Sequence, residues 1–273
     1  YSENPFPIIN TNNSLSVRPF IAGREGFLKL ALLVQNDTQV IFDENLFFTT
    51  NIKQSIIDNF SDLSYPPVDT FPAQVRSDIK EYLNNFNNGP FIGRAQLDFF
   101  KTIDLKHHVQ FSAGIFEEMF SGAGFEYLWS EPNSKYSIGF ESYYVKKREY
   151  DMRFKHQNYS NISSHVNLYF QNEFLVPFDF HLSVGEYLAG DRGYTFDLSR
   201  RLKNGTKYGL FFTRTNVSKL DFGEGSFDKG IYFSAPLFSK SLVSDFFWRP
   251  LTKDPGQKLI RMNNIHQFIR PHR

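Results

Sequence analysis

Residues 176–185 read V-P-F-D-F-H-L-S-V-G. Val176, Phe178, Phe180, Leu182 and Val184 share one parity, while Pro177, Asp179, His181, Ser183 and Gly185 share the other. A period of two is that of a β-strand with one apolar face. A turn-like A-G-D-R-G (189–193) follows, and then Y-T-F-D-L-S-R (194–200), where Tyr194, Phe196 and Leu198 alternate with Thr195, Asp197 and Ser199. Asn204-Gly205, a strong hairpin signal, leads into K-Y-G-L-F-F-T-R (207–214). Consecutive strands joined by such short turns can only be antiparallel. The stretch 176–236 is therefore a β-meander.

The same rhythm extends in both directions. Towards the N-terminus, 14–22, 25–35 and 38–51 read as strands with turns at Gly23-Arg24 and Asn36-Asp37; 1–13 reads as irregular. Residues 52–60 either continue the third strand or form a helical turn. Further strands are expected over 91–100, 106–119, 122–130, 135–147, 161–174, 226–236 and 240–251, with 258–269 closing the sheet. The charged run 146–160 reads as an aqueous loop or a barrel rim. One long departure, 61–88, holds Pro66, Pro67 and Pro72 and then Val75, Ile79, Tyr82 and Leu83 at helical spacing. It predicts a short amphipathic helix over 73–83, in a loop that leaves the wall. A loop of that length is either functional or plain surface. The expectation is a single domain over 1–273, with 61–88 as its excursion and 252–273 as its closing segment.

Composition fits two architectures. Only 41% of the 273 residues are apolar, and aromatics make up 18%, with 32 Phe, 14 Tyr and 2 Trp; mean hydropathy is −0.40. Strands wetted on one face and greased on the other, with aromatic girdles, describe a transmembrane barrel. A Phe-rich soluble sandwich has the same composition. The longest apolar run, 30–34, is far short of the ~18 residues of a membrane helix. Cysteine is absent, so there is neither disulfide framework nor thiolate chemistry. Balanced charge, 30 basic against 29 acidic residues, gives no reason to expect nucleic acid. A first residue of Tyr1 is that of a processed or partial polypeptide. Uniform strands of about ten residues, about twelve to fourteen of them, favour closure over a sandwich, whose strands centre on about five or six. The expected fold is all-β, an antiparallel transmembrane β-barrel.

Several stretches carry a family resemblance: V-R-S-D-I-K-E-Y-L (75–83), F-I-G-R-A-Q-L-D-F-F (91–100), A-G-I-F-E-E-M-F-S-G-A-G-F-E (113–126) and V-K-K-R-E-Y-D-M-R-F (145–154). To these add G-E-Y-L-A-G-D-R-G-Y (185–194), T-R-T-N-V (213–217), F-G-E-G-S-F-D-K-G-I-Y (222–232) and W-R-P-L-T-K-D (248–254). Together they resemble the YjbH family of Gram-negative outer-membrane proteins, encoded with exopolysaccharide and group 4 capsule genes. The resemblance implies an outer-membrane barrel acting in polysaccharide export or assembly without catalysis, and a chain that corresponds to the C-terminal part of longer members. Its implied partners are membrane lipid, polysaccharide and periplasmic or outer-membrane export proteins. Where the family tends to read T-R-D-G-G, Lys253 and Pro255 intervene here, which touches only the geometry of the final turn.

Candidate residues follow from alternation. Arg94, Asp98, Glu126, Glu141, Arg200 or Arg201, and Arg214 are expected to form an interior ladder of opposite charges, either a conduit for a charged glycan or a satisfied plug of ion pairs. Glu117, Glu118, Glu224 and Asp228 are expected in loops or at the rim. Glycoside hydrolysis would need two carboxyls about 5–9.5 Å apart across a sugar, and adjacent Glu117 and Glu118 would diverge on a strand. Asp221, Glu224 and Asp228 fit no EF-hand spacing, and His107-His108 point apart on a strand. No metal, cofactor or catalytic set is expected. The rivals are a soluble carbohydrate-binding β-sandwich and a glycan-processing enzyme built on Glu126 and Glu141.

Overall fold

The structure, a computed structural model, describes all residues except 1–5, 24–25, 64–72, 173–176, 223–226, 237–244, 249–252, 262–263 and 270–273. Among the described residues thirteen strands form one sheet in chain order, every neighbouring pair antiparallel. They are β1 (Ile8–Gly23), β2 (Gly26–Ile41), β3 (Leu46–Asp58), β4 (Phe91–Thr102), β5 (His107–Ile115), β6 (Phe120–Ser130) and β7 (Tyr136–Arg148). There follow β8 (His156–Asn172), β9 (Phe178–Glu186), β10 (Arg192–Arg201), β11 (Lys207–Thr215), β12 (Asp228–Pro236) and the short β13 (Asp245–Trp248). Helices are brief: α1 (Ile79–Asn84), α2 (Lys219–Phe222) and α3 (Ile265–Ile269). None is long and apolar enough to cross a membrane. Among the described residues no ladder joins β1 to β13.

Side chains of one parity face outward. Leu97 and Phe99 on β4, Phe111 on β5, Phe125 on β6 and Phe140 on β7 are exposed. Their rings run around the outside, Phe111 to Phe125 at 6.3 Å and Phe125 to Phe140 at 5.7 Å between centroids. The opposite parity is polar yet buried: Gln96, Asp98, Gln110, Ser112, Glu126, Glu141, His165, Asn167, Ser183 and Thr195. A soluble sandwich would place its phenylalanines in a dry layer between two sheets. Here there is one sheet, and its greasy face is the outer one.

What the sheet wraps around is the chain's own C-terminal segment, 253–269. It touches Phe47 of β3, Phe100 of β4, Glu126 of β6, Glu141 of β7, Tyr169 of β8 and Asp228 of β12. A single segment this short can reach strands so far apart in the order only if the sheet curls into a barrel around it. The expected closing strand over 258–269 is thus corrected: 258–261 is unpaired with the sheet, and 265–269 is the helix α3. The segment leaves the wall because Lys258 and Arg261 meet carboxylates inside.

The two ends of the barrel differ. The connections β3–β4, β5–β6, β7–β8 and β9–β10 leave the sheet at one end, which we call the plug end; β2–β3, β4–β5 and β10–β11 lie at the far end. The described parts of the excursion 61–88, residues 61–63 and 73–88, turn inward at the plug end instead of leaving the wall. Val75, Tyr82, Leu83 and Phe86 pack with Phe60, Phe91, Phe116, Met119, Phe120, Val145, Met152 and Leu188. Phe86 stacks on Phe91 at 4.8 Å and Tyr82 meets Tyr150 edge-on at 5.0 Å. The helical spacing in 73–83 is real but supports only α1, because residues 75–77 give their N–H groups to a side chain of another segment.

Two local expectations fail for physical reasons, and a third, left open over 52–60, is decided in favour of the strand. Asn36-Asp37 is mid-strand: Asn36 donates to Asn13 across the β1–β2 pair (2.8 Å), and Asp37 accepts from Asn51 (2.6 Å), so both polar side chains are satisfied within the sheet. The turn falls instead at 42–45, where Asp43 accepts from the N–H groups of Asn45 and Leu46. Residues 8–13 extend β1, and 52–58 continue β3.

Candidate functional site

One register line of the wall places Gln110, Glu126, Glu141 and His165 side by side on β5 to β8, all facing inward. Glu126 and Glu141 are directly opposed, and like charges in that position destabilise a sheet. Arg261 resolves the conflict. Its Nη1 donates to Glu126 Oε1 and its Nη2 to Glu141 Oε2, and its guanidinium lies 4.5 Å over the Tyr143 ring. Arginine is suited to this because its planar fork addresses two carboxylates at once and stacks on an aromatic face. Tyr143 can lie flat only beside Gly124, where a Cβ would come within 2.4 Å of its ring. Lys258 adds a second cation, 3.0 Å from Glu141 Oε1, and His165 Nδ1 lies 3.5 Å from that oxygen. One strand away from this line, Asp98 accepts from Gln96 (2.6 Å), Gln110 (3.2 Å) and Ser112 (2.5 Å).

At the plug end the two interior segments lock to each other. Asp254 Oδ1 accepts from the backbone N–H of Val75, Arg76 and Ser77 at 2.8, 2.8 and 2.9 Å. Arg76 bonds Glu117 Oε1 (2.8 Å) and the Lys258 carbonyl (3.0 Å). Gly256 donates to Asp191 (2.8 Å) and has φ +76°, and a Cβ there would stand 2.5 Å from Thr213, so only glycine lets the segment enter at this point. Lys147 binds Asp78 and the Gln74 carbonyl. Arg148, fully buried, donates to the carbonyls of Ile92, Glu117, Glu118, Met152 and Arg153, which ties the start of β4 to the β5–β6 and β7–β8 connections.

Neighbouring Glu117 and Glu118 are pulled in opposite directions. Burial raises the Glu117 carboxyl above its usual range, against the attraction of Arg76. Burial acts the same way on Glu118 but is overruled by Lys53 (2.8 Å) and Arg18 (3.5 Å), which bring it down to about 2. Both lie in the β5–β6 turn, as expected, but neither is a solvated rim residue: they close over the mouth of the lumen.

Of the other expected ladder members, Asp98, Glu126 and Glu141 face inward and are buried. Arg94 also faces inward and donates to the Phe116 carbonyl at 3.1 Å, a loop contact and not a ladder one. Arg200 and Arg214 do not belong to the lumen. Thr195 and Ser199 on β10 and Phe211 and Thr213 on β11 take the buried parity, so Arg200 and Arg214 share the outer parity of Leu198 and Leu210. Their partners across the ladder, Tyr208 and Tyr194, are exposed as well. Arg214, next to the strand end, reaches the edge of the apolar band, where a long cationic side chain is tolerated. Asp228 opens β12 and is buried, 3.3 Å from Gln257 Nε2. Glu224 and most of 248–254 lie outside the described residues. His107 and His108 diverge, one to Tyr127 and one to Thr102, and no group of three metal-binding side chains occurs among the described residues.

The residues missed by reading the sequence are Arg148, at the end of β7, and Arg76, Asp254, Lys258 and Arg261 on the interior segments. The one available signal was Pro255-Gly256, a turn pair that halts the strand rhythm.

A family model, "Exopolysaccharide biosynthesis protein YbjH", matches residues 4–271. The chain is 33% identical over 259 residues to the "Uncharacterized lipoprotein YjbH" of Escherichia coli K12, covering 91% of this chain and 36% of that protein. It thus spans about a third of the length of the curated relative it matches. Among solved structures, Salmonella typhi OmpF in complex with daunomycin aligns with a TM-score of 0.43 at 8% identity, over 93% of this chain and 95% of that one.

Proposed function

Because this chain belongs to the YjbH family of exopolysaccharide biosynthesis proteins, we propose that it is an outer-membrane barrel of Gram-negative bacteria that serves the export or assembly of an exopolysaccharide or capsule without catalysing a reaction. The observation that carries the reading is the inverted distribution of polarity: an exposed aromatic and aliphatic band outside, and a buried ionic interior within. That arrangement suits lipid outside, where a charge costs about 2–4 kcal/mol near the midplane, and water or a polar polymer inside. Glu126 and Glu141, the pair a glycosidase reading requires, share one guanidinium and leave no gap for a sugar between them. The family description supports the link to exopolysaccharide; export proteins at either face are the partners that follow from it.

The test is fractionation with complementation. The protein is expected in the outer-membrane fraction with heat-modifiable migration, and cells lacking its gene are expected to secrete less polysaccharide until it is restored. A soluble protein, or unchanged secretion, contradicts the reading.

A further inference from the structure

Between the wall and α3, at the far end of the barrel, lies a cavity of about 310 Å³, within the roughly 300–1,000 Å³ of small-molecule sites. Its cause is local. Ser199 and Gly209 are paired across β10 and β11, so the wall carries two small inward residues at adjacent positions. Tyr232 of β12 leans over Gly209, where a Cβ would lie 2.5 Å from its ring, and donates to Asp197 at 2.8 Å. Lys207 stands 5.6 Å over the same ring. Asp179, register partner of Ser199, adds a second carboxylate. On the opposite side a stack of three flat rings forms the floor: His181 on Tyr169 at 4.5 Å and Tyr169 on His266 of α3 at 3.7 Å.

We infer that this cavity is a subsite for one neutral, hydroxyl-rich pyranose unit, seated between the aromatic floor and the Asp179, Asp197 and Lys207 heads. Tyr169 is covered on both faces by its two neighbours, and the stack as a whole offers the sugar rigid ring surface to pack against. Carboxylates accept from hydroxyls, and an ammonium donates to a ring or hydroxyl oxygen. The net charge of the lining selects the sugar: two carboxylates against one ammonium repel a uronate, whose own carboxylate would be a third. The subsite rests on the glycan reading above and deepens it, placing the contact at the far end of the barrel and not at the Glu126–Glu141 clamp.

The probe is saturation-transfer NMR on the detergent-solubilised chain with methyl β-glucopyranoside, methyl β-galactopyranoside and methyl β-glucuronide. A neutral glycoside is expected to receive magnetisation, with the glucuronide about tenfold weaker, the size of one lost charge-assisted hydrogen bond. Ser199→Phe, which fills the cavity, and Asp197→Asn, which keeps its shape, should each weaken the neutral sugar by about tenfold. No transfer from either neutral glycoside overturns the subsite, as does a glucuronide that binds as well or better. Undiminished transfer in a folded Ser199→Phe or in Asp197→Asn also overturns it. Heat-modifiable migration is recorded on the same samples: its loss in the unmodified chain counts against the barrel reading, whereas sugar silence from an intact barrel counts against the subsite alone.

Discussion

Arg261 neutralises two carboxylates that the register of β6 and β7 forces face to face. Removing one partner of a buried ionic set strands the others, at a cost of about 3–5 kcal/mol, while replacing the whole set with neutral groups is often tolerated. Arg261→Ala is therefore expected to lower the urea midpoint in detergent strongly, and Arg261→Met combined with Glu126→Gln and Glu141→Gln to recover most of the loss. An equal loss in both would deny the clamp. At the plug end, Glu118 has a folded pKa depressed to about 2 by Lys53 and Arg18. Its stabilisation is full above the usual carboxylate range near 4.3 and lost as pH falls towards 2. Glu117, with its carboxyl raised, works the other way: protonation favours the fold, and stability declines as pH rises through its folded pKa. Glu118→Gln should flatten the acid limb of the stability profile between about pH 4.5 and 2, and Glu117→Gln should not. The inward direction of Asp98, Glu126 and Glu141 was legible from alternation alone. Arg261 as their partner was not, because 135 and 120 residues separate it from them and no local period encodes such a contact. Arg200 was misassigned against the local alternation, which sets it on the parity of Leu198, and Arg214 because Leu210, Phe211 and Phe212 are apolar on both parities and leave the face of β11 open.

The strand elements of 91–215 follow from the period of two, and the structure keeps their faces as read except at Arg200 and Arg214; it also draws 156–160, read as loop or rim, into β8. The interior elements do not announce themselves. In 75–83 the spacing of Val75, Ile79, Tyr82 and Leu83 signals an apolar face, but sequence does not say whether that face turns to solvent or into the lumen. The structure answers with Phe60, Phe86, Phe91, Phe116 and Met152 packed around it. Phe86→Ala should cost about 3–5 kcal/mol by opening a hole in that packing. Tyr82→Phe, losing only the bond from Tyr82 to the Arg148 carbonyl (2.8 Å), should cost about 1 kcal/mol; chemical denaturation in detergent distinguishes the two. The final segment misled because 258–269 mixes apolar and basic residues in a strand-like manner, while its geometry is set by what it meets inside. Asp254 joins the two interior segments, so Asp254→Ala is expected to increase proteolytic cleavage in both 73–78 and 253–258. Cleavage in one alone would mean that they are held independently.

At the scale of the molecule, the wall sorts its residues by face and the lumen is occupied by the chain itself. Val166 and Asn167 are neighbours on β8, one 54% and the other 2% exposed. On the proposed lipid face, Val166→Lys should lower the assembled fraction in bilayers by the equivalent of about 2–4 kcal/mol, and Val166→Leu should not. Barrel architecture was legible in the sequence because strand parity is local; occlusion was not, because it depends on where one end of the chain goes. The central claim is that segment 253–269 stoppers an acidic lumen lined by Asp98, Glu126 and Glu141. Single-channel recording in planar bilayers tests it most directly, comparing the intact chain with one lacking residues 253–273. The account predicts a silent intact barrel and a conducting, cation-selective truncated one; equal conductance in both, or an anion-selective truncated channel, would contradict it.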